Sequence, residues 1–94
     1  MSKPFAIIGT TDRVKRILGI AAEIAREVAR AEEKHKPLNS PHEGWSVIFE
    51  EVEELREHVR ADTGRSAEAR KEAIQVAATG LRYVLNLCDL EDQK

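Results

Sequence analysis

Residues 40–60, which read SPHEGWSVIFEEVEELREHVR, carry the clearest helix signal in the chain. Ser40 is suited to be an N-cap, Pro41 to take the first helical position, and Glu43 to close a capping box. The apolar residues then recur at alternating steps of 3 and 4, the spacing of one helix face; they are Trp45, Ile48, Val52, Leu55 and Val59. The stretch therefore predicts a helix over about 41–60, which Asp62-Thr63-Gly64 ends.

The same signals predict a helix on either side of this one. A first helix over about 11–34 has Thr10 or Thr11 as N-cap and a regular apolar face. A third helix over about 67–90 begins after Ser66, another suitable N-cap. Residues 1–10 form a short apolar lead-in, which could dock on the helices or pair as a strand.

Length and composition place the chain among single-domain helical proteins. It has 94 residues, and only 4% of them are aromatic, so the core must be built from Ala, Val, Ile and Leu. This composition is typical of an all-α helical bundle. The third helix is apolar around most of its circumference, and a chain of this length has little protein to cover it. We therefore expect a three-helix chain whose bundle is completed by homo-oligomerisation, as a dimer or tetramer.

Charge and cysteine content narrow the partners and the compartment. The net charge of −2 and pI of about 5.9 argue against general binding to nucleic acid or to anionic membranes. No apolar run approaches the roughly 20 residues of a membrane span, and no segment resembles a secretory signal. The single cysteine, Cys88, cannot form an internal disulfide, so a reducing, cytoplasmic compartment is expected.

The polar residues of the third helix form one continuous row, because successive members are 3 or 4 residues apart. The row consists of Glu68, Glu72, Gln75, Thr79, Arg82 and Asn86. It could be the solvent-exposed face of the helix. Alternatively, it could line a polar groove that holds a metal ion and a substrate.

The second helix offers a complementary set of carboxylates. Glu51 and Glu54 lie one turn apart on a flank of the apolar seam, whereas Glu53 and Glu57 point further toward solvent. Helices joined by a short connection are normally antiparallel, so this pair could face the Glu72 and Gln75 positions of the third helix. Oxygen ligands arranged in this way suit Mg²⁺.

These residues resemble a known family. Glu50-Glu51-Val52-Glu53-Glu54 followed by Glu72-Ala73-Ile74-Gln75 is similar to the EExxE…ExxD motif of the MazG-like, all-α nucleoside triphosphate pyrophosphohydrolases. Residues 42–48 and 72–78 also look like small MazG-like proteins of the kind often found in phages. The resemblance covers roughly residues 40–90. One position departs from the pattern, since Gln75 stands where the family has Asp.

The resemblance implies an Mg²⁺-dependent hydrolase, in which Mn²⁺ could substitute, that converts a nucleoside or deoxynucleoside triphosphate to a monophosphate and pyrophosphate. Glu51, Glu54 and Glu72 would hold the ion, and Glu50 could orient the attacking water. Gln75 would complete the metal shell or loosen it, because its amide oxygen carries no charge. The candidate substrate-binding residues are Arg82, His42, Lys34 and Lys36.

Two other functions are consistent with the sequence. The chain could be a non-catalytic bundle that binds nucleotides or proteins and keeps a degenerate metal site. It could also be a purely structural oligomer with a solvated acidic face. A zinc site is not expected, because His35 and His58 lack Cys or His partners at ligand spacing.

Overall fold

The computed structural model describes residues 11–89. It contains helix α1 (Asp12–Lys34), helix α2 (Pro41–Arg60) and helix α3 (Ala67–Tyr83), which continues into a π-helical turn (Val84–Cys88). No strand occurs in this range, so the prediction of an all-α chain with three helices is confirmed. The 1–10 lead-in and the predicted end of the third helix at residue 90 lie outside the described residues. Within residues 11–89, no helix is both long and apolar enough to cross a membrane.

Each helix begins at a side-chain hydroxyl that accepts a hydrogen bond from the backbone N–H three residues further on, at 3.1 Å in each case. The three N-caps are Thr11, Ser40 and Ser66. At α2, the Glu43 carboxylate accepts from the backbone N–H of Asn39 at 2.6 Å, one residue before the cap. The capping box is therefore displaced by one residue, but it still supplies acceptors to the donors at the start of α2.

The end of α2 is a Schellman motif with an aspartate in the left-handed position. Asp62 has φ 63°. The Thr63 N–H donates to the His58 carbonyl at 2.8 Å, and the Asp62 N–H donates to the Val59 carbonyl at 3.1 Å. The chain reverses here, and the short connection brings α3 back along α2.

Helix α3 packs against α2 in the antiparallel direction. Near the start of α2, a Cβ on Gly44 would lie 2.5 Å from Cδ2 of Tyr83 and 3.0 Å from Cδ1 of Leu87. One end of α2 therefore meets the far end of α3. Further along α2, Glu54 meets Glu72 in the first half of α3.

Helix α3 also packs against α1, and polar pairs connect the two helices. The Arg70 guanidinium donates two hydrogen bonds of 2.8 Å to Glu23 near one end, and Arg82 donates to Glu32 near the other. Residue numbers rise together in these pairs, so α1 and α3 are parallel. Because Arg82 on the polar row is buried and bonded to α1, this part of the row faces the neighbouring helices rather than solvent.

Apolar surface is left uncovered as a result. Leu81 of α3 and Val84 and Leu85 of the π-helical turn are 41–51% exposed in the single chain. The cause is the polar row, which takes the inward-facing positions. The other exposed large apolar residues are Ile17, Leu18, Ile20, Trp45, Phe49, Val52 and Val59. The radius of gyration is 16.0 Å, whereas a compact domain of this length has about 12 Å. A single chain is thus an open arrangement of helices.

Candidate metal and substrate site

Three carboxylates from two helices meet at one point. Glu51 and Glu54, one turn apart on α2, and Glu72 on α3 each place a carboxylate oxygen so that all three lie within 4.8 Å of one another. Glu51 and Glu72 are half-buried, and Glu54 is exposed. Three of the four predicted metal ligands therefore form one group, which we call the carboxylate cluster.

Crowding changes the acidity of the cluster. The pKa of Glu51 is raised to about 7, first by burial and then by the negative charges of Glu54, Glu72 and Glu50. The pKa of Glu54 is also raised, mainly by its hydrogen bond with Glu72 and further by burial and by the charge of Glu72. Near neutral pH the cluster therefore retains protons that isolated carboxylates would lose. A bound cation would relieve the same repulsion.

The fourth predicted ligand, Gln75, is engaged elsewhere. Its side-chain N–H donates a hydrogen bond of 2.6 Å to a carboxylate oxygen of Glu27 on α1. Glu27 also accepts from the Arg30 guanidinium, which is the main reason that the pKa of Glu27 is lowered. Gln75 and Glu51 still share the wall of a small cavity of about 100 Å³ between the three helices.

A larger cleft of about 490 Å³ lies beside the carboxylate cluster. One of its walls comes from the connection between α1 and α2, which contributes His35 and Lys36. Another comes from α2, which contributes Glu50 and Glu51. The remaining lining residues are Leu38, Glu43, Val47 and Arg82. Glu51 belongs both to the cluster and to the cleft, so the two features adjoin.

Only two of the four predicted substrate-binding residues line the cleft. Lys36 lines the cleft, as does the predicted catalytic Glu50, which is exposed. Arg82 also lines the cleft but is only 5% exposed, and its guanidinium is bonded to α1 and to the following connection. Lys34, the last residue of α1, and His42, in the first turn of α2, are exposed and do not line it.

Sequence reasoning assigned α1 only Lys34, at its last position, and missed the contribution of the rest of the helix. Glu27 and Glu32 provide the partners of the polar row, and His35 contributes to the cleft. For Glu27 a signal was present, because Glu23, Glu27 and Arg30 follow one another at steps of 4 and 3 and so share one face of α1.

No protein-family model matches the chain significantly, and neither does any curated protein or solved structure. The case for a function therefore depends on the geometry of the carboxylate cluster and the adjoining cleft.

Proposed function

We propose that this chain is an Mg²⁺-dependent pyrophosphohydrolase of nucleoside or deoxynucleoside triphosphates, similar to the MazG-like all-α enzymes. It would cleave between the α- and β-phosphates and release a nucleoside monophosphate and pyrophosphate. The observation that carries the proposal is the position of Glu51. This residue belongs to the carboxylate cluster and also lines the cleft, another wall of which carries basic residues.

The donor set suits a hard divalent cation. Mg²⁺ prefers oxygen ligands, keeps several waters and is usually held by a few carboxylates together with substrate phosphates. Opposite oxygens in its shell lie about 4 Å apart, and the three cluster oxygens already lie within 4.8 Å of one another. Glu51, Glu54 and Glu72 would hold the ion. When bound, the ion would neutralise charge on the phosphates and lower the pKa of a water molecule.

The cleft supports the choice of substrate. Its volume of about 490 Å³ lies within the range of small-molecule sites, about 300–1,000 Å³. Lys36 and His35 would contact the phosphates from the connection between α1 and α2. Glu50, exposed on the α2 wall, would orient a water molecule and accept its proton. The water oxygen would bond to the α-phosphorus, and the bond from that phosphorus to the bridging oxygen would break, so that pyrophosphate leaves.

The direct test is to incubate the protein with each common nucleoside and deoxynucleoside triphosphate, with Mg²⁺, with Mn²⁺ and with EDTA. We expect pyrophosphate and the monophosphate in stoichiometric amounts with either metal, and neither product with EDTA. Release of orthophosphate and a diphosphate would contradict cleavage at the α-phosphorus. Absence of turnover with every substrate would favour the alternative of a non-catalytic bundle.

One observation favours that alternative, a non-catalytic bundle that binds nucleotides or proteins. The amide of Gln75 is bonded to Glu27 and the guanidinium of Arg82 to Glu32, so two polar groups of α3 already have partners within the chain. Calorimetry distinguishes the two functions. Saturable triphosphate binding without any product would support the alternative.

The proposal includes a homo-oligomer, a dimer or tetramer, that completes the helical bundle. The exposed apolar side chains on all the described helices support it, as does the extended radius of gyration of 16.0 Å. Monomeric proteins rarely leave large contiguous apolar patches open to water. A second copy could cover the outward face of α3 and its π-helical turn, where Leu81, Val84 and Leu85 lie.

A further inference from the structure

A buried guanidinium ties the connection between α1 and α2 to α3. Arg82 is 5% exposed. Its Nε donates to a carboxylate oxygen of Glu32 at 2.6 Å, and a terminal nitrogen donates to the backbone carbonyl of Lys36 at 3.1 Å. The first bond fixes the last turns of α1, and the second fixes the chain just after α1 has ended.

A second residue, in the π-helical turn that continues α3, extends this contact. The side-chain oxygen of Asn86 accepts a hydrogen bond of 2.5 Å from the backbone N–H of Leu38, which is 7% exposed. The Asn86 amide nitrogen donates to Glu32 at 3.3 Å. One carboxylate oxygen of Glu32 thus serves both Arg82 and Asn86, and these three side chains form one network with the Lys36 carbonyl and the Leu38 N–H.

The network holds backbone atoms of the connection and leaves its basic side chains free. The bonded groups are the carbonyl of Lys36 and the N–H of Leu38, whereas the side chains of His35 and Lys36 are exposed and line the cleft. A bond to backbone fixes the path of the chain rather than one rotamer. The path of this segment determines where those two side chains stand relative to Glu50 and Glu51.

We propose that Arg82 and Asn86 are positioning residues that hold the 35–38 segment against α3, so that His35 and Lys36 form the phosphate-binding wall of the cleft. The inference rests on the proposed function and gives Arg82 a different role from direct substrate binding. Arg82 suits this role because the planar guanidinium can donate in two directions at once, to a carboxylate and to a carbonyl. A lysine ammonium at this position would keep the charge but not this geometry.

The test compares Arg82→Lys and Asn86→Leu with Arg70→Gln. The last variant is the matched control, because it breaks another arginine–glutamate pair between α1 and α3 far from the connection. Residue-resolved amide hydrogen exchange reports the state of the Leu38 N–H directly. Asn86→Leu removes the acceptor of this N–H, and Arg82→Lys removes the bond from the guanidinium to the Lys36 carbonyl. We therefore expect exchange of this amide to be about tenfold faster or more in the two test variants. Arg70→Gln should leave it unchanged.

Hydrolysis kinetics provide the second measurement. A misplaced phosphate-binding wall should raise KM for the triphosphate about tenfold while kcat changes little, because the carboxylate cluster is untouched. If Arg82 and Asn86 only stabilised the fold, the substitutions would lower the amount of folded enzyme and leave KM unchanged. Circular dichroism of Arg82→Lys, the milder change, verifies that the kinetics are those of folded protein.

The outcomes separate the two proposals. Unchanged exchange at Leu38 in both test variants would overturn the positioning role. Faster exchange with an unchanged KM would overturn its link to substrate binding. A wild-type protein that hydrolyses no triphosphate would refute the proposed function, whereas the exchange measurement would still decide whether Arg82 and Asn86 hold the segment.

Discussion

The side-chain amide of Gln75 on α3 and the carboxylate of Glu27 on α1 are joined by a hydrogen bond of 2.6 Å. Three residues earlier on α3, Glu72 belongs to the carboxylate cluster on the side of α2. Two neighbouring positions of one helix thus serve two different partner helices. A neutral donor at position 75 suits this arrangement, because an aspartate there would face the charge of Glu27.

Replacing Gln75 by the aspartate of the MazG-like motif should make the metal-free protein less stable. The Gln75→Asp change removes the bond to Glu27 and adds a like charge, at a cost of about 1–3 kcal/mol in the free energy of unfolding. Mn²⁺ should raise the melting temperature of the variant more than that of wild type, because an added carboxylate strengthens the binding of an ion that stabilises the folded state. Activity at low Mg²⁺ should rise.

Gln75→Leu is the control for this variant. It loses the same hydrogen bond without adding a charge, so its metal response should match that of wild type. If Mn²⁺ raises the melting temperature of Gln75→Asp no more than that of wild type, position 75 does not belong to a metal site and the non-catalytic alternative gains support.

Neutralising the carboxylate cluster should abolish both metal binding and hydrolysis. Glu51→Gln and Glu72→Gln each remove one carboxylate from a group of three, and the increase in melting temperature on adding Mn²⁺ should disappear. Glu57→Gln is the matched control, because Glu57 is exposed on the same helix as Glu51 and lies outside the cluster. Equal losses in Glu57→Gln and Glu51→Gln would refute the proposed metal site.

The raised pKa of Glu51 predicts that the metal-free protein loses stability as the pH rises. The pKa is about 7 in the folded chain against an ordinary value of 4.5. The folded state therefore binds more protons than the unfolded state between these values, and the free energy of unfolding falls across this window. After allowance for partial exposure, the Glu51 contribution is about 1–2 kcal/mol.

Melting temperatures of wild type and Glu51→Gln, measured without metal from pH 5 to pH 7.5, check this prediction. The neutral amide cannot titrate, so the variant should become the more stable of the two as the pH rises. Saturating Mn²⁺ should reverse the trend in wild type, since a metal competes with protons for the carboxylates. A constant difference between the two proteins over the whole range would show that Glu51 does not titrate in this window.

The close approach of α2 and α3 predicts opposite effects for two glycines. A methyl group on Gly44 would come within 2.5 Å of the Tyr83 ring, so Gly44→Ala should destabilise the protein by about 1–2 kcal/mol despite the better helix propensity of alanine. On α1, Gly19 has nothing within 4 Å of such a methyl group. Gly19→Ala should therefore stabilise by up to about 1 kcal/mol. Urea unfolding of both variants measures whether each substitution raises or lowers the free energy of unfolding. Stabilisation by both would mean that α2 and α3 do not pack closely at Gly44.

The proposed oligomer can be tested by placing a charge on the outward face of α3. Val84 is 51% exposed, so Val84→Glu should cost the single chain little but should disrupt an interface that buries this face. Light scattering at micromolar concentration should give a dimer or tetramer for wild type and a monomer for the variant. The Glu57→Gln protein should associate as wild type does. A stable wild-type monomer would rule out the oligomer.

The starts of the helices could be predicted from the sequence because their signals are local. Ser40 and Ser66 accept hydrogen bonds from residues only three positions away, so these caps depend little on the rest of the fold. The far end of α3 lacked such a signal. The α-helical geometry ends at Tyr83 and a π-helical turn follows, yet no Gly or Pro occurs between Val84 and Cys88 to indicate the change.

At the candidate site, too, local features could be predicted from the sequence and contacts between distant segments could not. The approach of Glu51 to Glu72 followed from helical spacing and from a short connection between antiparallel helices. The partners of Gln75 and Arg82 could not be predicted in this way, because they lie 48 and 50 residues away on α1. Periodicity shows that a row of polar residues exists, but it does not show which helix packs against each member.

The long sequence separations between α1 and α3 have a consequence for synthesis on the ribosome. The described bonds that anchor α1 and the segment after it span 46–54 residues and end on Arg70, Gln75, Arg82 and Asn86. These partners emerge from the exit tunnel long after α1 itself. In a nascent chain, α1 must therefore wait, with its apolar and charged groups undocked, until α3 has been made.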